Sequence, residues 1–348
     1  MNPYESQPAR AFWRTAVAEP EPAAIGGVWT PKFAIGQDDP VLTAGSCFAA
    51  RLGRGLIDHG MNFFDAEPPP PGLTRDERRA RHFGEFSFRT GNIYTAAVLR
   101  QWLAWAFGHE KAPDTVWTGD GRCFDPYRPS VEPAGFASAD DVFAAREETL
   151  AAIRRGVARA RCLIFTLGLT EAWGDADGTV YPSCPGTVRG TFDDTRHTLR
   201  TFTFADVHQD LLDVFALARA VNPDLRFVLT VSPVPLTATA GTQHALVANT
   251  HAKSVLRSVA GQLAHEHDHV DYFPAYELIA GQPFRSGFYE PNLREVTAEG
   301  VEFVMGHFTA ALRGPATAPV QERRAPRVKG GDACDDAVLD YYGPRGPR

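Results

Sequence analysis

Four short, almost unbroken apolar runs constrain this chain most: Pro40-Val41-Leu42-Thr43-Ala44, Cys162-Leu163-Ile164-Phe165-Thr166-Leu167, Leu225-Arg226-Phe227-Val228-Leu229-Thr230-Val231 and Val270-Asp271-Tyr272-Phe273. A strand that is apolar at consecutive positions must bury both of its faces, which is the situation of a parallel sheet covered by helices on each side. Between the runs the period turns helical. Residues 47–59 repeat Phe48, Leu52, Leu56 and Ile57 before Gly60, and residues 93–107 repeat Tyr94, Val98, Trp102 and Trp105. Helices are predicted over 139–160, 204–221 and 243–265 as well. A closing helix over 297–312 has Thr297 as N-cap and an apolar face of Val301, Val304, Met305, Phe308 and Leu312. The expected class is α/β, a three-layer α/β/α sandwich with a mainly parallel sheet.

One domain over residues 1–312 accommodates these elements. Its first forty residues form a Pro/Ala/Gly-rich arm anchored by Phe12, Trp13, Trp29 and Phe33, and residues 62–160 read as a partly helical insertion covering the sheet. Within that insertion Glu67-Pro68-Pro69-Pro70-Pro71-Gly72 excludes regular structure, and residues 74–81 suit an exposed loop or short helix. The tail, 313–348, lacks periodicity and is expected to be disordered apart from a short motif at Leu339-Asp340-Tyr341-Tyr342.

Composition excludes several functions. With 44% hydrophobic and 22% charged residues the chain can build a core, so disorder is not its main state. A net charge of -7 gives no basic field, which argues against nucleic acid or an anionic membrane as partner and favours a small-molecule or carbohydrate substrate. No run reaches the length of a membrane span, and the first residues lack a basic segment followed by an apolar one, so a cytoplasmic protein is expected. Five cysteines without a CxxC pair read as reduced thiols, not as a disulfide framework or zinc knuckle. The cluster His265-Glu266-His267-Asp268-His269 reads as a solvated connection, and no G-x-G-x-x-G or G-x-x-x-x-G-K-[ST] occurs, so neither metal nor cofactor is expected. The oligomeric state is left open.

Ligands of an open parallel sheet bind beyond the carboxyl ends of its strands. Here those ends carry Gly45-Ser46-Cys47, then Gly168-Leu169-Thr170-Glu171-Ala172-Trp173, then Ser232-Pro233-Val234-Pro235. Ser46 falls at a strand-to-helix turn, where backbone N–H groups can hold the oxyanion formed when a hydroxyl attacks an acyl carbon. The same position suits a plain N-cap. A thiol in the first helical turn is a better nucleophile than an unassisted hydroxyl, which keeps Cys47 as an alternative, whereas a cysteine packed inward is only a small apolar filler.

Gly45-Ser46-Cys47-Phe48-Ala49 resembles the signature of the GSCFA family, itself similar to SGNH/GDSL hydrolases. The likeness extends to Arg89-Thr90-Gly91-Asn92-Ile93-Tyr94-Thr95-Ala96, Thr166 to Trp173, Thr230 to Pro235, Lys253-Ser254-Val255-Leu256-Arg257 and Tyr272 to Glu277. This resemblance implies a flavodoxin-like, SGNH-hydrolase-like fold and a serine-dependent hydrolase or acyltransferase acting on an ester-linked acyl group carried by a carbohydrate, through an acyl-Ser46 intermediate. It makes Ser46 the nucleophile with its own N–H as an oxyanion donor, and Gly168 the glycine of the third conserved block. Thr170 stands where SGNH enzymes have Asn, and Asn92, after Gly91, is the amide donor that replaces it. The final block, Asn292-Leu293-Arg294-Glu295-Val296, has Asn292 and Glu295 where Asp and His belong. A serine without a base is a poor nucleophile. His244 is the first candidate base and His251 the second, with Glu171, Asp271 or Glu295 to orient it. The competing reading is a non-catalytic protein whose cleft binds a glycan or acyl ligand.

Overall fold

A computed structural model describes residues 2–313. After an arm of short 3-10 and π turns come β1 (Val41–Gly45), α1 (Cys47–Asp58), α2 (Arg75–Ala80), α3 (Ala96–Ala106), β2 (Trp117–Gly119), β3 (Arg122–Phe124) and α4 (Ala139–Arg159). The second half runs β4 (Cys162–Leu167), β5 (Glu171–Gly174), β6 (Val180–Tyr181), β7 (Thr198–Thr201), α5 (Phe204–Val221), β8 (Arg226–Val231), α6 (Ala245–Glu266), β9 (Val270–Tyr272), α7 (Ala275–Ala280) and α8 (Ala298–Leu312).

The four apolar runs form the central sheet, in the order β1-β4-β8-β9, every pair parallel. Alternate side chains go to opposite faces. Leu42, Ala44, Leu163, Phe165, Phe227 and Leu229 pack with Trp102 of α3, Ile153 of α4, Leu211 of α5 and Leu256 of α6. Val41, Cys162, Ile164 and Val228 pack with Phe48 of α1, Leu278 of α7, Val304 and Phe308 of α8, and Ile25 and Trp29 of the arm. This is a three-layer α/β/α sandwich, and the double burial is why its strands lack polar alternation. Trp29 stacks on Phe308 at 5.2 Å and meets Phe273 edge-on at 5.0 Å, so the arm is held there. Trp13 is no anchor, being 63% exposed, whereas neighbouring Phe12 is buried.

Residues 62–160 contribute α3 and α4 to one helical layer together with the β2-β3 hairpin. Asp125 fixes α4 to that region: its carboxylate accepts from Arg128 Nε at 2.9 Å and from Arg146 Nη2 at 2.8 Å, all three residues being buried. A second, antiparallel sheet of order β6-β5-β7 follows β4 and was not anticipated. Its strands have two to four residues, too short for periodicity to register. Among the described residues no helix is long and apolar enough to cross a membrane. The expected disorder and the motif at 339–342 lie outside the described residues.

Strand register sets the site. Gly45 lies opposite Thr166 and Thr166 opposite Thr230, so three strands end level and bring Ser46, Gly168 and Ser232 to one edge.

Candidate functional site

Gly45 has a φ of 139°, in the region that favours glycine, and a Cβ there would press on Thr166, 2.8 Å from its nitrogen and against its carbonyl oxygen. The missing side chain lets β1 turn sharply into α1. Ser46 takes the N-cap position, yet its hydroxyl makes no capping bond; its Oγ is buried without any hydrogen-bond partner. The plain N-cap reading therefore does not describe it. The Ser46 N–H donates to the Thr166 carbonyl at 3.1 Å, so the expectation that it serves as an oxyanion donor is corrected: it is already engaged by the sheet. Among the described residues no acceptor meets the N–H of Cys47 or Phe48, as is usual in a first helical turn, and these are the donors that remain.

The segment after Gly91, whose φ is 66°, laces the strand ends together. Ile93 N–H donates to Gly45 O at 2.8 Å, and Tyr94 O accepts from Gly168 N–H at 3.0 Å and Leu169 N–H at 2.8 Å. Asn92 is thereby held beside the turn, half-buried, its Oδ1 lacking a partner. Gly168 packs directly on the serine, since a Cβ on it would lie 3.1 Å from Ser46 Cβ. Ser46 and Gly168 thus come together, with Asn92 on the adjoining segment, whereas a Cβ on Gly91 would face Val131 and Ser130. Thr170 is buried where the chain leaves for the small sheet, its carbonyl accepting from Phe202 N–H at 2.7 Å.

The other candidates are elsewhere. His244 is exposed at the N-cap of α6, where its Nδ1 accepts from Leu246 N–H at 3.1 Å, and His251 is exposed on the same helix. Among the described residues no histidine ring nitrogen meets Ser46 Oγ. Glu171 Oε1 accepts from the Thr239 hydroxyl at 2.7 Å instead of orienting an imidazole. Asp271 accepts from Lys32 N–H and Tyr272 N–H, both at 2.8 Å, tying the arm to β9. Glu295 is exposed; in the same turn Asn292 Oδ1 accepts from the N–H of Arg294 and of Glu295, each at 3.0 Å. Cys47 is an exposed free thiol, so it is not an inward filler. Among the described residues no group of three His, Cys, Asp or Glu could hold a metal ion.

Lys253 of α6 escaped the sequence reading as a site residue. It is 2% exposed, and its Nζ donates to Gly168 O at 2.8 Å. Among the described residues no carboxylate pairs with it. The amine is pulled down to about 7, first by burial, against which Cys47 acts, with a smaller lowering from Arg294. Tyr94 feels the same two neighbours: its phenol is pushed up to about 12, first by burial and then by Cys47, with Arg294 opposing. Arg294 is half-buried, with an Nε that no acceptor meets. The available signal was its helical position, three residues before Leu256 and seven before Ala260 on the buried face of α6.

A parallel sheet with a buried, unpartnered serine hydroxyl at the head of the helix after its first strand, and a buried lysine at the next strand end, defines a class: a three-layer α/β protein with a candidate nucleophile site at its carboxyl edge. Residues 40–308 match the GSCFA family, and the chain belongs to that family. The matched span opens one residue before β1 and closes within α8, so it takes in the whole sheet and the site. No curated protein matches the chain.

Proposed function

We propose that this protein is a serine-dependent hydrolase or acyltransferase that acts on an ester-linked acyl group, with a carbohydrate as the acyl-bearing partner, through an acyl-Ser46 intermediate. The observation that carries the reading is the Ser46 hydroxyl, buried without a hydrogen bond at the N-terminus of α1. A buried hydroxyl normally finds a partner, and leaving one unpaired costs roughly 1–3 kcal/mol. Catalytic use is one reason for a fold to keep such a group. Attack by Ser46 Oγ would place the developing oxyanion near the N–H groups of Cys47 and Phe48, where the helix dipole also favours negative charge. The side-chain NH2 of Asn92, on the segment whose Ile93 N–H donates to Gly45 O, would contribute a further donor. Because Ser46 Oγ is covered, the acyl carbon reaches it only after a neighbouring side chain shifts. The carbohydrate and the acyl chemistry rest on the likeness to SGNH enzymes.

The experiment is covalent labelling by a fluorophosphonate, with Ser46→Ala and Cys47→Ala variants in parallel. Labelling of the wild type and of Cys47→Ala, lost in Ser46→Ala, is the expected result. Turnover and thiol-probe labelling lost only in Cys47→Ala would transfer the nucleophile to the exposed thiol. The lack of any histidine at Ser46 among the described residues favours a second reading, a non-catalytic cleft for a glycan or acyl ligand. Absence of labelling, with ligand binding that survives Ser46→Ala, would establish that one.

A further inference from the structure

We propose that Lys253 is the general base that prepares Ser46 for attack, a role that rests on the acyl-transfer reading and supplies the group that the missing histidine leaves open. The geometry begins with α6, which directs a lysine inward from its buried face until the amine reaches the end of β4. There Nζ holds the Gly168 carbonyl at 2.8 Å, and the α-carbon of that glycine packs on the Ser46 side chain so closely that a methyl group would stand 3.1 Å from Ser46 Cβ. The amine therefore bonds the residue on which the Ser46 side chain packs; Nζ and Ser46 Oγ are not hydrogen-bonded to each other, and proton transfer requires one of the two side chains to turn toward the other.

A lysine buried this deeply is ordinarily paired with a carboxylate. Here the groups that act on it are Cys47 from the first turn of α1 and Arg294 from the loop before α8; Tyr94, which senses the same two, lies on the segment lacing β1 to β4. No carboxylate is among them. A cation in so desolvated a place is costly, and the cost is relieved by loss of a proton; Cys47 opposes that outcome, and Arg294 favours it to a smaller extent. The neutral amine gives one N–H to Gly168 O and retains a lone pair. A base poised near neutrality is what proton transfer from a serine requires.

The proton inventory closes with these groups. As Ser46 Oγ bonds to the acyl carbon, its proton passes to Nζ and the carbonyl π electrons move to oxygen. The ammonium then returns that proton to the departing alkoxide as the ester C–O bond breaks, leaving acyl-Ser46 and a neutral amine. Water or an acceptor hydroxyl next gives its proton to Nζ while its oxygen attacks the acyl carbon, and Nζ reprotonates Ser46 Oγ as the acyl group leaves. Arg294 is a positioning residue in this scheme, acting through the amine.

The test is the second-order rate of fluorophosphonate labelling as a function of pH for the wild type, Ser46→Ala, Lys253→Met, Lys253→Ala and Arg294→Gln, each verified as folded by its thermal transition. Expected is a wild-type rate that rises with pH through about 7, a loss of roughly 100-fold or more in Lys253→Met, partial rescue of Lys253→Ala by added methylamine or ethylamine, and a midpoint moved to higher pH in Arg294→Gln. A purely structural lysine would give neither amine rescue nor a moved midpoint. If Lys253→Met labels within about threefold of the wild type while Ser46→Ala is silent, the base assignment falls and the serine reading stands. If the folded wild type is unlabelled at every pH, the serine reading itself falls. Should Lys253→Met fail to fold, a wild-type rate that is flat between about pH 6 and 9 overturns the proposal.

Discussion

At the scale of single residues, unpartnered hydroxyls are not confined to Ser46: Thr43, Thr166 and Thr230 of the central strands share that condition. Those threonines belong to β1, β4 and β8, whereas Ser46 lies beyond the end of β1 at the N-cap of α1. Two glycines define that place. A methyl on Gly168 would stand 3.1 Å from both Ser46 Cβ and Tyr94 O, so Gly168→Ala is predicted to displace the serine and reduce labelling at least about tenfold, while stability falls by about 1–3 kcal/mol. Gly45→Ala meets backbone of Thr166 at a positive φ and is predicted to cost more than about 3 kcal/mol in urea unfolding. Equal stability losses for the two, with labelling intact in Gly168→Ala, would refute the close seat between Gly168 and Ser46. The placement of Ser46 and Gly168 at strand ends was legible because a strand followed by a small residue is a local pattern, whereas Asn92 follows no strand and is reached only through the family resemblance. Lys253 was not legible, because a lysine on a helix ordinarily places its amine in water, and only tertiary packing buries it. His244 was misplaced for the complementary reason: following a strand end in sequence does not put a ring over the neighbouring strand.

At the scale of elements, α1, α4, α5 and α8 were readable almost to the residue, since apolar periodicity and polar N-caps are local properties. Thr297, for instance, accepts from Gly300 N–H at 3.0 Å as an N-cap. The start of α3 is later than the periodicity suggests because Tyr94 is taken by the strand ends and Thr95 caps the helix. The β5-β7 sheet was unreadable because its stability comes from pairing across sequence, not from a pattern within it. Two predictions belong here. His244 caps α6 through a ring nitrogen, so His244→Ala is expected to lower stability by roughly 0.5–2 kcal/mol and to leave fluorophosphonate labelling unchanged; a large loss of labelling would return the imidazole to the site. Asp125 joins α4 to the loop after β3. Burial alone would raise its carboxyl, yet Arg128 and Arg146 hold it below the usual range. Removing it strands two buried guanidinium groups, and Asp125→Ala is predicted to cost about 3–5 kcal/mol by chemical denaturation. A cost under about 1 kcal/mol would mean that both arginines find other acceptors.

At the scale of the whole molecule, the buried amine links the site to the stability curve. In the unfolded chain Lys253 titrates near its ordinary 10.5, and in the folded protein at about 7, burial being the first cause, with Cys47 opposing it and Arg294 adding the least. Between those values the unfolded state carries a proton that the native state has released, so unfolding free energy rises with pH across that window. Below it both states hold the proton and the native state bears an uncompensated charge. Asp125 acts at the other end, its contribution present above the unfolded carboxylate value and lost in strong acid, and Tyr94 works against the native state above about pH 10. Neither interferes between pH 7 and 9. Lys253→Met, similar in shape and without the amine, is therefore predicted to have its greatest advantage over the wild type below about pH 7 and to keep much of it at pH 7. That advantage should narrow by on the order of 2 kcal/mol at pH 9, read from urea unfolding at both pH values. A difference that does not change with pH would mean the amine keeps its proton in the fold, and a protonated amine has no lone pair with which to accept one from Ser46. The same desolvation that would make Lys253 a base also makes it a burden on the native state. Stability and reactivity at this edge of the sheet are thus two readouts of one proton.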